Sequence, residues 1–269
     1  MTPASPPQSR SPILFSPWFY GVLSALLLAL AVVVLSGANR PLFFVLNGIS
    51  RFTGDALWAH ITLLGEGLLG FALIGPVARR NPNLAWSMFI AAIVATVVVH
   101  GVKEALDFPR PAKVLPASAL HIIGPRLLVV SFPSGHSTAI SLLATVIGLH
   151  YRRPWVYAAL VLPVVLTGLS RVVVGAHWPE DVLGGFIFGW VLGHVSVWLA
   201  RRWPTGLNPG WQIGIIALSL VCAVSFWDAD TGQVLASGFQ HLLSAVTAVL
   251  GLWSLGDRLR ILLQARESQ

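Results

Sequence analysis

Three short segments gather most of the side chains able to do chemistry. The first reads Lys103-Glu104-Ala105-Leu106-Asp107-Phe108-Pro109-Arg110-Pro111. The second reads Ser131-Phe132-Pro133-Ser134-Gly135-His136-Ser137, and the third Ser170-Arg171-Val172-Val173-Val174-Gly175-Ala176-His177-Trp178-Pro179-Glu180-Asp181. Lys103, Arg110 and Arg171 are cations. Arginine offers a planar fork of donors suited to phosphate oxygens, and lysine a point charge. Pro133-Ser134-Gly135-His136 stands where a helix should begin, and a helix start carries free N–H groups and partial positive charge. Gly135 lets a ligand come close to the backbone, and Ser134 adds a hydroxyl donor. Asp181 follows His177 by four residues, with Pro179 at a first helical position, so its carboxylate can reach back to the imidazole. A carboxylate on one ring nitrogen sets the tautomer and makes the other a better nucleophile or base. His136 comes from a different helix and is available as a proton donor. The chemistry these groups suit is the binding and displacement of a phosphate group.

Each piece alone has a structural reading. Lys103 and Arg110 could be interfacial side chains that snorkel. Pro-Ser-Gly-His could be a turn and cap, His177 an interface histidine, and Asp181 an acid at a helix start. The case for a site lies in the combination, which depends on the elements that carry the three segments.

Those elements must be membrane spans. Of 269 residues, 55% are apolar and 10% charged, with mean hydropathy +0.77. A soluble domain carries about a quarter charged residues, so a soluble globular enzyme, a disordered tail and a nucleic-acid binder are excluded. A crossing helix needs about 20 apolar residues. Eight runs are candidates: Trp18–Leu35, Leu57–Val77, Leu84–Val102, His136–His150, Trp155–Val174, Val182–Ala200, Trp211–Phe226 and Val234–Leu255. The seventh is short and the fourth is interrupted by polar residues. The first is too long for the apolar core of a signal peptide and reads as an uncleaved span. Linkers long enough to separate domains are missing, so residues 1–269 read as one membrane domain. The lone Cys222 permits no intrachain disulfide and no cysteine-based metal site.

The expected fold is all-α, a polytopic transmembrane helix bundle. In it, Lys103 and Arg110 follow span three, Pro-Ser-Gly-His opens span four, Arg171 ends span five and Asp181 opens span six. All therefore emerge on one side, whichever way the chain inserts. With the N-terminus cytoplasmic, ten basic residues lie inside: Arg10, Arg79, Arg80, Arg152, Arg153, Arg201, Arg202, Arg258, Arg260 and Arg266. Seven lie outside, three of them in the motifs: Arg40, Arg51, Lys103, Arg110, Lys113, Arg126 and Arg171. The positive-inside rule favours this orientation, and tryptophans near the span ends fit interfacial anchoring.

Other residues carry open readings. Glu66, in Gly65-Glu66-Gly67, is an ionisable group at membrane depth. It either touches the site or lipid path, or is a protonated or hydrogen-bonded packing group. His100, one turn before Lys103, could line the site or be an interface histidine. The loop Ala112–Val130, with Lys113, His121 and Arg126, is the expected place of head-group selection, or else carries ordinary interfacial charges.

The three segments together resemble the signature of the type 2 phosphatidic acid phosphatase (PAP2) family, whose superfamily includes vanadium haloperoxidases and glucose-6-phosphatase. Every signature position is present: Lys103 and Arg110; Ser134, Gly135 and His136; Arg171, His177 and Asp181. The resemblance covers about residues 55–200, a catalytic core within a six-helix family arrangement. Residues 205–257 would be two extra C-terminal transmembrane helices without assigned function.

The resemblance implies a metal-independent phosphatase without cofactors. His177 would attack phosphorus to form a phosphohistidine, Asp181 would orient it, and His136 would protonate the leaving oxygen. Lys103, Arg110, Arg171, Ser134 and the backbone at Gly135 would hold the phosphate oxygens. Positioning and charge stabilisation are most of what phosphoryl transfer asks. The implied substrate is a membrane lipid phosphate in the bilayer: phosphatidylglycerophosphate, phosphatidic acid, undecaprenyl diphosphate or lipid A. The expected location is a bacterial inner membrane, with both termini cytoplasmic and the site facing the periplasm. Neither nucleic acid nor an obligate protein partner is expected. Two other readings stand beside this one: a phosphotransferase that passes phosphate from undecaprenyl diphosphate to lipid A, and a non-enzymatic phospholipid carrier.

Overall fold

Within lipid a backbone must satisfy its own hydrogen bonds, which a helix does locally. The computed structural model describes residues 16–267, without the side chains of 265–267, and every regular element among the described residues is helical. Arg10 lies outside the described residues, as does the side chain of Arg266.

The main helices are α1 (Pro17–Leu35), α2 (Asn39–Asn47), α3 (Asp55–Leu63) and α4 (Gly67–Ala78). They continue as α5 (Pro82–Leu106), α6 (Gly135–Tyr151), α7 (Pro154–Val173), α8 (Pro179–Arg202), α9 (Pro209–Asp228) and α10 (Ser237–Glu267). Proline stands at the start of α1, α5, α7, α8 and α9. Its fixed φ suits a first helical turn, and its missing N–H costs nothing there. Ser16 and Asn81 cap α1 and α5 by accepting from Phe19 N and Leu84 N.

Each of the eight apolar runs contains helix, and the all-α membrane bundle is the observed fold class. Among the described residues, six helices are long and apolar enough to cross a membrane. The second run departs from expectation. It is two helices, α3 and α4, bent by 47° at residues 64–66, and together they could make a seventh span. Gly65 and Gly67 flank this break, and glycine is the residue that weakens a helix interior. α6 has 17 residues, a length of about 25 Å at 1.5 Å per residue.

α8 is the central packing element. Its glycines at 185, 189 and 193 face α6. A Cβ at Gly185 would stand 2.7 Å from Ser134 O, and one at Gly189 2.7 Å from Leu142 N. Small residues let two helix backbones approach this closely in a membrane. The contact sets the start of α6 against the start of α8, where Ser134 N donates to Asp181 O at 3.0 Å. α1 packs on the outer face of α8: Trp190 Nε1 donates to Phe19 O at 3.2 Å, and the His194 ring stands edge-on to Phe19. His194 is thereby a packing residue.

α9 and α10 form a hairpin held by polar ties within the membrane region. Gln240 Nε2 donates to Phe226 O and Ala229 O, and Ser244 Oγ donates to Ala223 O. The hairpin packs on α4. There Arg79 Nε lies 2.5 Å from Asp257 Oδ2, the Arg79 guanidinium sits 3.7 Å over the Trp253 ring, and Arg258 Nη2 donates to Ala78 O. The two C-terminal helices thus brace the second half of the broken segment.

Candidate active site

His177 lies in the turn between α7 and α8 and is 2% exposed. Both of its ring nitrogens are engaged. Nδ1 is 3.3 Å from Asp181 Oδ2, and Nε2 is 3.2 Å from Arg110 Nη1. A guanidinium only donates and an ionised carboxylate only accepts. The two neighbours together leave the proton on Nδ1 and the lone pair on Nε2. Burial first, then the charges of Arg110, Arg171 and Lys103, push the His177 pKa well below its ordinary 6.5. The imidazole is therefore neutral at pH 7, the form in which it can act as a nucleophile.

Asp181 is fixed from three sides. Its Oδ2 accepts from Trp178 N at 2.8 Å and from Ser131 Oγ at 2.5 Å, and it faces the His177 ring. An acid in the first turn also suits the positive end of α8. Ser131 and Asp181 are both buried.

Two of the three cations are held by backbone carbonyls. Arg110 Nε donates to Val129 O at 2.8 Å and Nη1 to Ala176 O at 3.1 Å, while Lys103 Nζ donates to Val130 O at 2.7 Å. Val130 has φ 52°, a left-handed conformation costly for a β-branched residue. The strained residue offers its carbonyl to a site cation. Arg171 is buried, and its Nη1 donates to Thr62 Oγ1. Among the described residues its Nε has no hydrogen-bond partner, an orphaned donor of the kind an anion would satisfy.

Lys103, Arg110, Arg171, His136, His177 and Gly135 line one cavity of about 420 Å³. Glu66 and His100 line it too. A Cβ at Gly135 would meet open space, so the glycine leaves room against the first turn of α6. Glu66 Oε1 is 2.9 Å from His136 Nε2. His100 Nδ1 bonds Thr96 O at 2.8 Å, one turn back along α5, and its side chain is exposed at the cavity edge.

Four expected contributors are elsewhere. The Ser134 hydroxyl caps α6, accepting from Ser137 N and Ser137 Oγ, and the residue is fully buried outside the cavity. Its hydroxyl serves the helix start, where unmet N–H groups compete for it. Lys113 is exposed, and Arg126 Nη2 donates to Ala112 O at 3.3 Å; neither lines the cavity. His121 pairs with Asp55 at 2.9 Å, and its backbone is tied to Asn47. From the loop Ala112–Val130, Leu127 reaches the cavity wall.

Sequence reasoning does not single out Ser131, Thr62 or the carbonyls of Val129 and Val130. Ser131 stands within the second motif, but spacing alone does not show that it meets a carboxylate 50 residues later. The carbonyls carry no residue-type signal at all.

The PAP2 superfamily model matches residues 84–205. Undecaprenyl-diphosphatase BcrC of Bacillus subtilis is 34% identical over 58% of this chain and 80% of its own length. Lipid A 1-phosphatase of Rhizobium johnstonii is 29% identical over 62% of this chain and 72% of its own. The crystal structure of Aquifex aeolicus LpxE superposes with a TM-score of 0.55 at 29% identity, covering 60% of this chain and 94% of that one. The matched region holds all three motifs, and this multi-pass membrane protein belongs to the PAP2 superfamily of phosphatases.

Proposed function

We propose that this protein removes a terminal phosphate from a membrane lipid through a phosphohistidine at His177. One observation carries the reading. The cavity that holds Lys103, Arg110, Arg171 and His177 at one end continues as an apolar furrow past Phe71, Met88, Ala91, Ala95, Leu142 and Val146. A charged end joined to an apolar furrow matches a phosphate joined to a hydrocarbon chain. A small water-soluble phosphate would leave the furrow unfilled.

His177 Nε2 forms the bond to phosphorus while the bond to the lipid oxygen breaks and its electron pair stays on that oxygen. Asp181 holds the Nδ1 proton and offsets the charge that develops on the ring. His136 supplies the proton that the leaving oxygen needs. Arg110, Arg171 and Lys103 neutralise the phosphoryl oxygens as the charge redistributes. Water then attacks the phosphohistidine and releases phosphate. With three cations at the phosphate, the step needs no metal.

The site is taken to face the periplasm of a bacterial inner membrane. Support comes from the arginine pairs Arg79-Arg80, Arg152-Arg153 and Arg201-Arg202, which close turns at the ends of the spans away from the motifs and favour the cytoplasmic side. Relatives named for undecaprenyl diphosphate and lipid A set the first substrates to test.

The test is phosphate release by purified protein in detergent from undecaprenyl diphosphate, lipid A, phosphatidic acid and phosphatidylglycerophosphate. Release from at least one lipid is expected, abolished in His177→Ala and retained with excess EDTA. Full phosphate release by His177→Ala would overturn the reading.

A further inference from the structure

The break between α3 and α4 delivers a carboxylate to the cavity wall. Gly65 lies so close to the start of α6 that an added Cβ would be 2.7 Å from His136 Cβ and 3.0 Å from His136 Cα. The next residue, Glu66, places Oε1 2.9 Å from His136 Nε2. The other ring nitrogen of His136, Nδ1, makes no hydrogen bond to protein among the described residues, and His136 lines the cavity with His177. Ionisable groups at membrane depth are costly and are met by a partner. Here the partner of Glu66 is a histidine that already faces the phosphate site.

We propose that Glu66 is a positioning residue for phosphoryl transfer, holding the His136 ring through Nε2 so that Nδ1 delivers a proton to the leaving oxygen. This rests on the phosphatase reading above and adds a residue that the three motifs do not contain. The carboxylate accepts from Nε2–H in both charge states of the ring, so only Nδ1 exchanges its proton. In the first step the electron pair of the breaking P–O bond goes to the lipid oxygen, which takes the Nδ1 proton and leaves His136 neutral. In the second step Nδ1 takes a proton from the attacking water, while the P–N bond breaks and its pair returns to His177. The ring is then recharged for the next turnover.

Charge balance supports the assignment. A protonated His136 would stand at the positive end of α6 and near Arg171, Arg110 and Lys103. Asp181 is turned to His177 and Ser131, which leaves Glu66 as the anion in hydrogen-bond contact with His136. The α9–α10 hairpin braces the helix that follows Glu66 through Arg79, Asp257 and Arg258, so the carboxylate sits on a supported element.

The experiment compares two leaving groups in the full chain. Phosphatidic acid leaves as an alkoxide that must be protonated, whereas p-nitrophenyl phosphate leaves as a stable phenolate. Glu66→Gln is expected to lower kcat about a hundredfold on phosphatidic acid, the scale of a general acid–base contribution, and at least about tenfold less than that on p-nitrophenyl phosphate. Glu66→Asp should recover part of the loss. Adding Glu66→Gln to His136→Ala should cost little more, because both act on one proton. Equal losses on the two esters, or no loss on phosphatidic acid, would overturn the proposal. If Glu66→Gln does not fold, Glu66→Asp carries the same comparison, with an unequal loss in support and an equal loss against. If wild-type protein leaves phosphatidic acid intact, the lipid phosphate that it does hydrolyse takes that place in the comparison; release from none of the four lipids would overturn the phosphatase reading itself, and this inference with it.

Discussion

Arg110 Nη1 points at His177 Nε2 across 3.2 Å. The guanidinium therefore marks the face of the imidazole from which a phosphoryl group would be attacked. Ala176 O and Val129 O hold the same guanidinium in place. Arg110→Lys keeps the charge but loses the fork and both carbonyl ties. We expect kcat/KM on the lipid substrate to fall about a hundredfold or more, the scale of losing one donor to a developing anion. Steady-state kinetics on Arg110→Lys and Arg110→Ala checks this; a lysine variant with wild-type kcat/KM would contradict it.

Ser131 donates to the Asp181 carboxylate that faces the His177 ring. Ser131→Ala should lower kcat about tenfold or more, since a hydrogen bond to a charged group contributes about 1.5–3 kcal/mol. KM should change little, because the hydroxyl touches Asp181 and not the cavity. A rise in KM with kcat intact would place Ser131 in substrate binding instead.

The depressed pKa of His177 has a definite sign. Its Nε2 lone pair stays free as pH falls below the ordinary imidazole value of 6.5, so the acid limb of kcat/KM due to this residue lies well below pH 6.5. Removing a neighbouring charge with Lys103→Met should move that limb to higher pH. Linkage gives the matching stability effect: the unfolded chain takes up a proton on this residue near pH 6.5, and the folded one does so only at lower pH. The folded state binds fewer protons in that window, so stability declines as pH drops from about 6.5 towards the folded value. A pH–rate profile with an acid limb at an ordinary histidine value would contradict the assignment.

The furrow makes a prediction about chain length. Ala95 lines it midway along α5, and Ala95→Trp would fill part of it. KM for a long-chain lipid phosphate should rise about tenfold, while kcat/KM for p-nitrophenyl phosphate should hold within about twofold. A tenfold rise corresponds to about 1.4 kcal/mol of apolar burial that only the hydrocarbon chain forgoes. Parallel losses on both substrates would mean that the furrow does not carry the lipid.

Much of the site is legible in one dimension because membrane topology does the folding arithmetic. Lys103, Arg110, His136, Arg171, His177 and Asp181 sit at span ends of the same parity, so the bilayer alone brings them to one boundary. Spacing does not show which groups compete for them. The motif assigns the Ser134 hydroxyl to phosphate, but in the structure that hydroxyl lies outside the cavity and accepts from Ser137 N and Ser137 Oγ. Lys113 and Arg126 share the boundary with the site, yet the path of their loop keeps both out of the cavity.

By itself the sequence determined an all-helical membrane chain and pointed to the imidazole, the carboxylate and the cations that the structure brings together. Apolar run length and residue chemistry are local properties, and the bilayer converts them into position. Only the tertiary structure decided that the second run breaks at Gly65, that Glu66 meets His136, that Ser131 and three backbone carbonyls hold the charged groups, and that the last two helices support the broken segment. Each of these depends on residues brought together by how closely helices pack, and a one-dimensional pattern holds no record of such distances.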